Sequence, residues 1–206
     1  DEAMVLKVVK LEKPPTIDAN WNKSTWESIQ PALIDSFMGE RPEHFPLAEA
    51  KLAYDDSALY AIFRVEDSYV RAVADNHQGN VCRDSCVEFF FTPATEGPAG
   101  YFNLEMNCGG TMLFHFQRQG QEGRIVIPEG DYGKIDVAHS MPRIVEPEIE
   151  GPVTWTVEYR IPIDLLEKYY PVARPAPGAA WRGNLYKCGD RTSHPHWLTW
   201  SPVDYP

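Results

Sequence analysis

The sequence predicts an all-β protein, folded as an antiparallel β-sandwich with one or two short helices. Apolar residues make up 43% of the 206 positions and aromatic residues 12%, which is enough for a sizeable core. The 18 prolines and 14 glycines interrupt the chain too often for long helices, and the runs between them alternate apolar and polar residues as half-buried strands do. No stretch has the composition of a linker, so we expect residues 1–206 to form one domain.

The N-terminal segment is predicted to form one strand followed by a cap. The run from Met4 to Leu11 has the β-branched content and approximate alternation of a strand, and Pro14 and Pro15 end it. Trp21 and Trp26 lie in the polar stretch that follows. We interpret that stretch as a short helix or loop packed over one end of the sandwich.

A β-hairpin with an acidic tip is predicted next. The runs from Ala48 to Tyr54 and from Leu59 to Val65 alternate, and the turn residues Asp55-Asp56-Ser57 lie between them. A second acidic turn is expected at Glu66-Asp67-Ser68. Residues 71–83 are polar without a clear period, so we expect an ordered loop there.

The clearest strand signals lie in the middle of the chain. Cys86 to Thr92 is followed by a turn and by Tyr101 to Cys108, and Gly109-Gly110 then leads into Met112 to Gln117. Three antiparallel strands in a meander are therefore predicted. The remaining predicted elements are strands at residues 124–127, 134–138 and 153–161, a short helix from Asp164 to Tyr170, and strands from Trp181 to Lys187 and from Trp197 to Trp200.

Alternation separates the two faces of the central hairpin, because neighbouring side chains of a strand point to opposite faces. One face is predicted to lie in the core; it carries Val87, Phe89 and Phe91 opposite Met106, Leu104 and Phe102. The other is predicted to be wet or to contact a ligand; it carries Cys86, Glu88 and Phe90 opposite Asn107, Glu105 and Asn103. Carboxylates, amides and rings suit sugar recognition, although the outer face of any antiparallel sheet is polar too.

Charge and cysteine content argue against several classes of function. The formal net charge of -11 opposes binding to nucleic acid, and no apolar run approaches the ~18 residues of a membrane helix, so no membrane insertion is expected. The cysteines Cys82, Cys86, Cys108 and Cys188 lack the spacing of a zinc site. They allow three pairings if all are oxidised, but alternation places Cys86 and Cys108 on opposite faces, which argues against a bridge between those two.

Short motifs, read in order across nearly the whole chain, resemble one family. They are Ile17-Asp18 with Trp26, LAYDDSALY (52–60), VED (65–67), DSCVEFF (84–90), YFNLEMN (101–107), WTVEYRIP (155–162), WRGNLYKCGD (181–190) and WSP (200–202). The sequence is similar to carbohydrate-binding family 9, and more specifically to the family 9-like domains of gut Bacteroidetes. This resemblance implies a β-sandwich of the kind shared with DOMON domains and sugar binding without catalysis. It also implies a β-glucan or xylan-type ligand, gripped at its chain end, and a secreted, periplasmic or cell-surface location.

The resemblance also implies the residues of the sugar site. Carried over by position, the binding groups are Glu88, Asn103 and Lys187, with Arg83 at the rim and Glu105 and Asn107 as second choices. The aromatic walls of the family site have no counterpart at the matching positions, because residues 81–83 (VCR) contain no ring and the sequence stops at Pro206. Trp197, Tyr205 and Tyr69 are the candidates to replace a wall.

Three other interpretations stay open. The domain can be a structural or protein-contact sandwich with a degenerate sugar site. Glu88 and Glu105, if directly opposed at ~5 Å, match the carboxyl separation of a retaining glycosidase. Some DOMON relatives bind haem through Met and His, for which the chain offers Met106, Met112, His115, His139 and Met141.

No cofactor is required for sugar binding, but a structural calcium ion is a further expectation. Members of the family bind calcium, and acidic turns supply the hard oxygen ligands that it needs. The candidates are Asp55, Asp56, Glu66, Asp67 and Asp84. His194 and His196 are interpreted as loop packing, because no acid or cysteine nearby in the sequence completes a metal site.

Overall fold

Two antiparallel-rich β-sheets packed face to face make up the computed structural model, which describes residues 4–118 and 123–204. The first sheet contains β1 (Val9–Lys10), β2 (Ala32–Leu33), β4 (Leu47–Tyr54), β5 (Ala58–Ala72), β10 (Asp136–His139) and β11 (Val145–Pro162). The second contains β3 (Ser36–Phe37), β6 (Cys86–Thr92), β7 (Gly100–Asn107), β8 (Met112–Arg118), β9 (Arg124–Val126), β12 (Arg182–Cys188) and β13 (Trp197–Thr199). The predicted all-β sandwich is confirmed.

Helices are few and short, but the described residues contain three rather than one or two. They are α1 (Ser24–Glu27), α2 (Glu129–Tyr132) and α3 (Ile163–Glu167), together with a 3₁₀ turn at Val81–Arg83. Within the described ranges, no helix is long and apolar enough to cross a membrane.

The strand order places the predicted meander inside the second sheet. That order is β3-β13-β12-β6-β7-β8-β9, whereas the first sheet runs β1-β4-β5-β11-β10 with β2 also paired to β4. Among the described strands only β1 and β4 pair in parallel. Both sheets end in short strands of two to four residues, and the long strands lie inside.

The register of the central hairpin is the one that alternation predicts. Val87 pairs with Met106, and Phe89 pairs with Leu104. These side chains are buried in the core between the sheets, where Phe63 and other large residues of the first sheet join them. Cys86 and Cys108 lie in different apolar clusters, and the four cysteines of the chain are free thiols.

Two predicted elements of the first sheet are wrong in extent. The acidic turn expected at Glu66-Asp67-Ser68 does not form, because β5 continues to Ala72 and stays paired with the long strand β11. The strand expected from Met4 to Leu11 contributes only β1, since it lies at the sheet edge and pairs with two residues of β4.

The N-terminal tryptophan segment covers a sheet face rather than one end of the sandwich. Trp26, on α1, packs with Tyr60 and Ile62 on the outer side of the first sheet. The buried carboxylate of Glu158 fixes the segment there, because it accepts hydrogen bonds from Trp26 Nε1 at 2.6 Å and from the backbone N–H of Asp18 at 2.8 Å. The apolar outer face of this sheet explains the difference from the expected position, since those residues need a cover.

Candidate functional site

The outer face of the second sheet, called here the Glu88 face, brings together four of the six predicted binding residues. In register, Glu88 lies directly opposite Glu105 on one side and opposite Tyr186 on the other. Asn103 precedes Glu105 by two residues and therefore lies on the same face. His115 of β8 lies opposite Asn103. Four adjacent strands therefore place carboxyl, amide, phenol and imidazole groups side by side.

The Glu88 face is less wet than predicted. Glu88 is 6% exposed, Glu105 8% and Asn103 only 1%. The more exposed neighbours are three aromatic rings. The ring centroid of Phe90 lies 4.9 Å from that of Tyr186 and 5.7 Å from that of Tyr101. The buried polar side chains of this face thus form a floor flanked by a strip of rings; the floor consists of Glu88, Glu105, Asn103 and His115.

The loop predicted at residues 71–83 explains part of this burial. Val81 of the 3₁₀ turn and Ala74 pack against Cys86 and Cys188 at one end of the Glu88 face. Arg83, predicted at the rim, belongs to the same turn and is exposed to solvent. Its role as a sugar contact stays a prediction.

Several polar atoms of the floor have no hydrogen-bond partner in the described part of the chain. Asn103 Nδ2 donates to Glu105 Oε1 at 3.1 Å, and the thiol of Cys188 donates to Glu88 Oε2 at 3.4 Å. Asn103 Oδ1, Glu105 Oε2 and His115 Nδ1 are buried and unpartnered. Because such groups cost free energy when unsatisfied, their concentration on one face indicates a site for a hydrogen-bonding ligand.

Burial shifts the ionisation of the floor toward neutral forms. The pKa of Glu88 is raised well above the usual carboxyl range, first by burial and then by its hydrogen bond to Glu105 and the charge of that residue. Burial, with a smaller contribution from the charge of Arg124, lowers the pKa of His115 to about 4. These shifts favour the protonated carboxyl of Glu88 and keep the imidazole of His115 uncharged at neutral pH.

Lys187 does not belong to the site. Its neighbour Tyr186 lies opposite Glu88, so Lys187 points to the other face of β12, into the sandwich, and is 0% exposed. Its ammonium group donates to His196 Nε2 at 2.7 Å and lies 3.6 Å from Asp67 Oδ2. The predicted sugar contact is therefore replaced by a buried ionic cluster between the sheets.

Asn107 lies on the Glu88 face but is committed to the turn that follows β7. Its amide donates to Asp84 Oδ2 at 3.0 Å and its Oδ1 accepts from the backbone of Gly109 and Thr111. It is fully buried, so the structure gives it a bracing role in place of the predicted sugar contact.

Of the three candidates for an aromatic wall, one lies on the Glu88 face. Trp197 pairs with Cys188 on that face, is largely exposed, and donates from Nε1 to Asp190 at 2.7 Å. Tyr69 instead stacks on His194 with ring centroids 3.7 Å apart. Tyr205 lies outside the described residues.

The predicted set of binding residues omits four residues of the Glu88 face: Phe90, Tyr101, Tyr186 and His115. Alternation supplies a signal for two of them, because Phe90 follows Glu88 by two residues and Tyr101 precedes Asn103 by two. Tyr186 and His115 depend on the registers of β12 and β8, which alternation within one strand does not determine.

The structure bears on two of the alternative interpretations, the glycosidase and the haem site. Glu88 and Glu105 are directly opposed in register, as the glycosidase interpretation expects, but both side chains are more than nine-tenths buried. Of the haem candidates, Met106 and Met112 are buried in the core, whereas His115 lies on the opposite face of the sheet. These methionines therefore cannot share an iron with His115.

The acidic residues predicted for calcium do not assemble. Asp55 Oδ1 accepts from the backbone of Ser57 and Ala58, and its Oδ2 accepts from Tyr60 at 2.7 Å. Over residues 4–118 and 123–204, no group of three or more His, Cys, Asp or Glu side chains could hold a metal ion. Calcium stays a prediction, for which the test is a lower thermal midpoint in EDTA.

A large cavity of about 930 Å³ opens elsewhere, between the N-terminal segment and β12. Its lining is mainly apolar and includes Leu6, Phe89, Trp181 and Trp200. The indole N–H of Trp181 is already bonded to the carbonyl of Ala173 at 2.7 Å. The Glu88 face differs from this cavity in carrying several buried polar atoms without a hydrogen-bond partner, among them Asn103 Oδ1 and His115 Nδ1.

Comparison with known proteins assigns the chain to a family. A family profile described as Carbohydrate-binding family 9 matches residues 18–206. This chain belongs to carbohydrate-binding family 9. A search of curated protein sequences returns no significant match.

Solved structures with the family 9 sandwich superpose on nearly the whole chain. A protein from Bacteroides uniformis ATCC 8492, described as a proposed carbohydrate-binding protein, is 26% identical, with a TM-score of 0.85 over 99% of this chain and 92% of its own. A family 9 module from Caldicellulosiruptor kristjanssonii in complex with glucose is 14% identical, with a TM-score of 0.63 over 94% of this chain and 89% of its own. The same kind of module in complex with cellotriose is 13% identical, with a TM-score of 0.62 over 94% and 87%.

Proposed function

We propose that this family 9 chain binds carbohydrate on the Glu88 face without cleaving it. The observation that carries the proposal is the meeting of buried, unpartnered acceptors with aromatic rings: Glu105 Oε2 and Asn103 Oδ1 lie on the same face as Phe90 and Tyr101. Sugar hydroxyls donate to such acceptors, and the apolar C–H face of a pyranose packs on a ring.

The finer proposal is a β-glucan or xylan-type oligosaccharide, bound through a chain end, in a secreted, periplasmic or cell-surface protein. Membership of family 9 supports it, as do the sugars held by the similar C. kristjanssonii modules. Two exposed rings of the face are available to a sugar: Tyr101, 36% exposed, and Trp197, 43% exposed, at the far end of the face.

A structural or protein-contact role is the second candidate function. It is favoured by the small exposed fraction of the floor and by the loop that packs over one end of the face. The two candidates make opposite predictions for free sugars. Only sugar binding requires the unpartnered polar atoms of the floor to form hydrogen bonds with sugar hydroxyl groups.

The test is a glycan array followed by calorimetry with glucose, cellobiose and xylobiose. Replacing Tyr101 with Ala should weaken binding up to about tenfold, because a stacked ring contributes ~0.5–1.5 kcal/mol beyond its buried area. Phe37→Ala is the matched control, since Phe37 is an exposed ring at the edge of the same sheet, on β3. Absence of binding across the array by the folded protein would reject sugar binding and favour the second candidate.

A further inference from the structure

The floor of the Glu88 face holds two carboxyl groups on directly opposed residues. Glu88 and Glu105 are opposed in register on neighbouring strands, and both are more than nine-tenths buried. Two ionised carboxylates buried side by side repel each other and lose their hydration, which favours a proton on one of them. The pair therefore holds one shared proton.

No Lys or Arg of the described residues lies directly opposite either acid in register. The titratable groups around the pair are acids, thiols, a phenol and a neutral imidazole: Asp190, Cys82, Cys86, Cys188, Tyr186 and His115. Lys187 lies on the opposite face of the sheet and binds His196 there. Three exposed arginines lie elsewhere around the face: Arg83 on the 3₁₀ turn, Arg124 on β9 opposite Gln117, and Arg182 opposite Thr92 at the start of β12. The nearest neighbours thus offer no positive charge to a ligand anion.

We propose that the Glu88–Glu105 pair, by sharing one proton, makes the site select uncharged saccharides and exclude acidic ones. The selectivity rests on the proposed function and adds a ligand class to it. The protonated carboxyl can donate to one sugar hydroxyl, while the other carboxylate and Asn103 Oδ1 accept from a neighbouring hydroxyl. A uronate or sulfate would bring a further negative charge into a buried acidic site with no cation directly opposite either acid.

The shared proton also links affinity to pH. Loss of the proton removes the only charge-neutral carboxyl donor and leaves two carboxylates that repel each other. The raised pKa of Glu88 places this loss above the usual carboxyl range. Affinity for an uncharged sugar is therefore constant at acidic pH and falls as the solution becomes alkaline.

Charge selectivity is tested with two disaccharides that differ in one group. Cellobiose and cellobiouronic acid differ only by a CH₂OH group in one and a carboxylate in the other. Calorimetry should show cellobiouronic acid at least about tenfold weaker, the ratio that ~1.4 kcal/mol of repulsion produces. Equal affinities for the two disaccharides would overturn the charge selectivity but not the proposed sugar binding. If neither disaccharide binds and the glycan array is also negative, both the selectivity and the sugar binding are overturned.

The shared proton is tested by the pH profile of cellobiose binding from about pH 5 to about pH 9. In Glu88→Gln, a permanently uncharged amide replaces the protonated carboxyl, so binding should weaken severalfold at neutral pH and no longer fall in alkali. Glu105→Gln should narrow the preference for cellobiose over cellobiouronic acid, because it removes the carboxylate that repels the acid. Glu66→Gln, an exposed carboxylate on the other sheet paired with Arg64, is the control and should match the wild type. A wild-type affinity that stays constant across this range, or a Glu88→Gln profile like that of the wild type, would overturn the shared proton.

Discussion

Lys187 donates a hydrogen bond to His196 Nε2 across 2.7 Å inside the sandwich. His196 Nδ1 lies 2.8 Å from the carbonyl oxygen of His194, so this ring carries its proton on Nδ1 and is neutral. Asp67 on the first sheet lies 3.6 Å from the same ammonium group and is hydrogen-bonded to His44. A single buried cation on the second sheet thus joins the two sheets and two loops.

Acid should destabilise the protein through this cluster. Burial, followed by the charge of Lys187, lowers the pKa of His196 to about 3 from 6.5, so between these values the unfolded chain binds more protons than the native one. The free energy of unfolding should fall by several kcal/mol as pH drops through this range. Denaturant titrations at stepped pH measure it, and His196→Gln should flatten the slope; an equal slope in both proteins would contradict the assignment.

A second contribution should disappear at still lower pH. Burial alone would raise the pKa of Asp67, but the charge of Lys187 and the hydrogen bond from His44 lower it to about 2. Its stabilising effect is present above the unfolded value of 3.8 and is lost as pH falls toward about 2. The same titrations, extended to Asp67→Asn, should show a shallower loss in that lower range for the variant.

Replacement of Lys187 separates a structural role from a role in sugar binding. Lys187→Met keeps the stem but leaves the carboxylate of Asp67 without its cation, which should cost about 3 kcal/mol of stability. Affinity of the folded variant for sugar should not change, because the side chain points away from the Glu88 face. Denaturation and calorimetry measure the two effects. A selective loss of sugar affinity with unchanged stability would show that the side chain reaches the ligand.

Glu158 should be the residue on which the N-terminal cover depends. Besides Trp26 and the backbone of Asp18, its carboxylate binds Lys23 Nζ at 2.6 Å. Glu158→Gln removes the charge that these donors share and should lower the free energy of unfolding by about 2–3 kcal/mol. Glu150→Gln, an exposed change on the same strand, should be neutral. Similar stabilities for the two variants would remove the proposed anchor.

The turn after β7 should not tolerate a side chain at Gly109. A Cβ atom there would overlap the backbone carbonyl of Arg143, so Gly109→Ala forces the backbone apart and should destabilise the protein by more than about 1 kcal/mol. Gly130→Ala is the control, because a Cβ atom at that helical position meets no neighbour and Ala favours helix. Equal thermal midpoints for the two variants would contradict the predicted crowding.

The predictable part of the site is the part determined by local alternation. Strand side chains alternate with period two, so the pairing of Glu88 with Glu105 and the face of Asn103 follow from the sequence of one hairpin. Lys187 could not be placed in this way. Its face depends on the register between β12 and β6, and a shift of one residue moves a side chain to the opposite face.

The burial of the Glu88 face could not be predicted from the sequence either. The residues that cover one end of it belong to a stretch without hydrophobic period, from which only a loop could be predicted. In the first sheet, Glu66 and Asp67 indicated a turn by composition, but pairing with β11 overrides that local preference. Long-range packing decides both cases.

The short outer strands of both sheets have a consequence for the behaviour of the protein in concentrated solution. Strands with free backbone N–H and C=O groups recruit strands from other molecules, and long flat ones begin aggregates. Here β1 and β3 contain two residues each and β9 contains three, so each offers very few groups for such recruitment. The most aggregation-prone runs, such as CVEFFFT in β6, are shielded between partners on both sides. The chain should therefore resist intermolecular strand pairing even at high protein concentration.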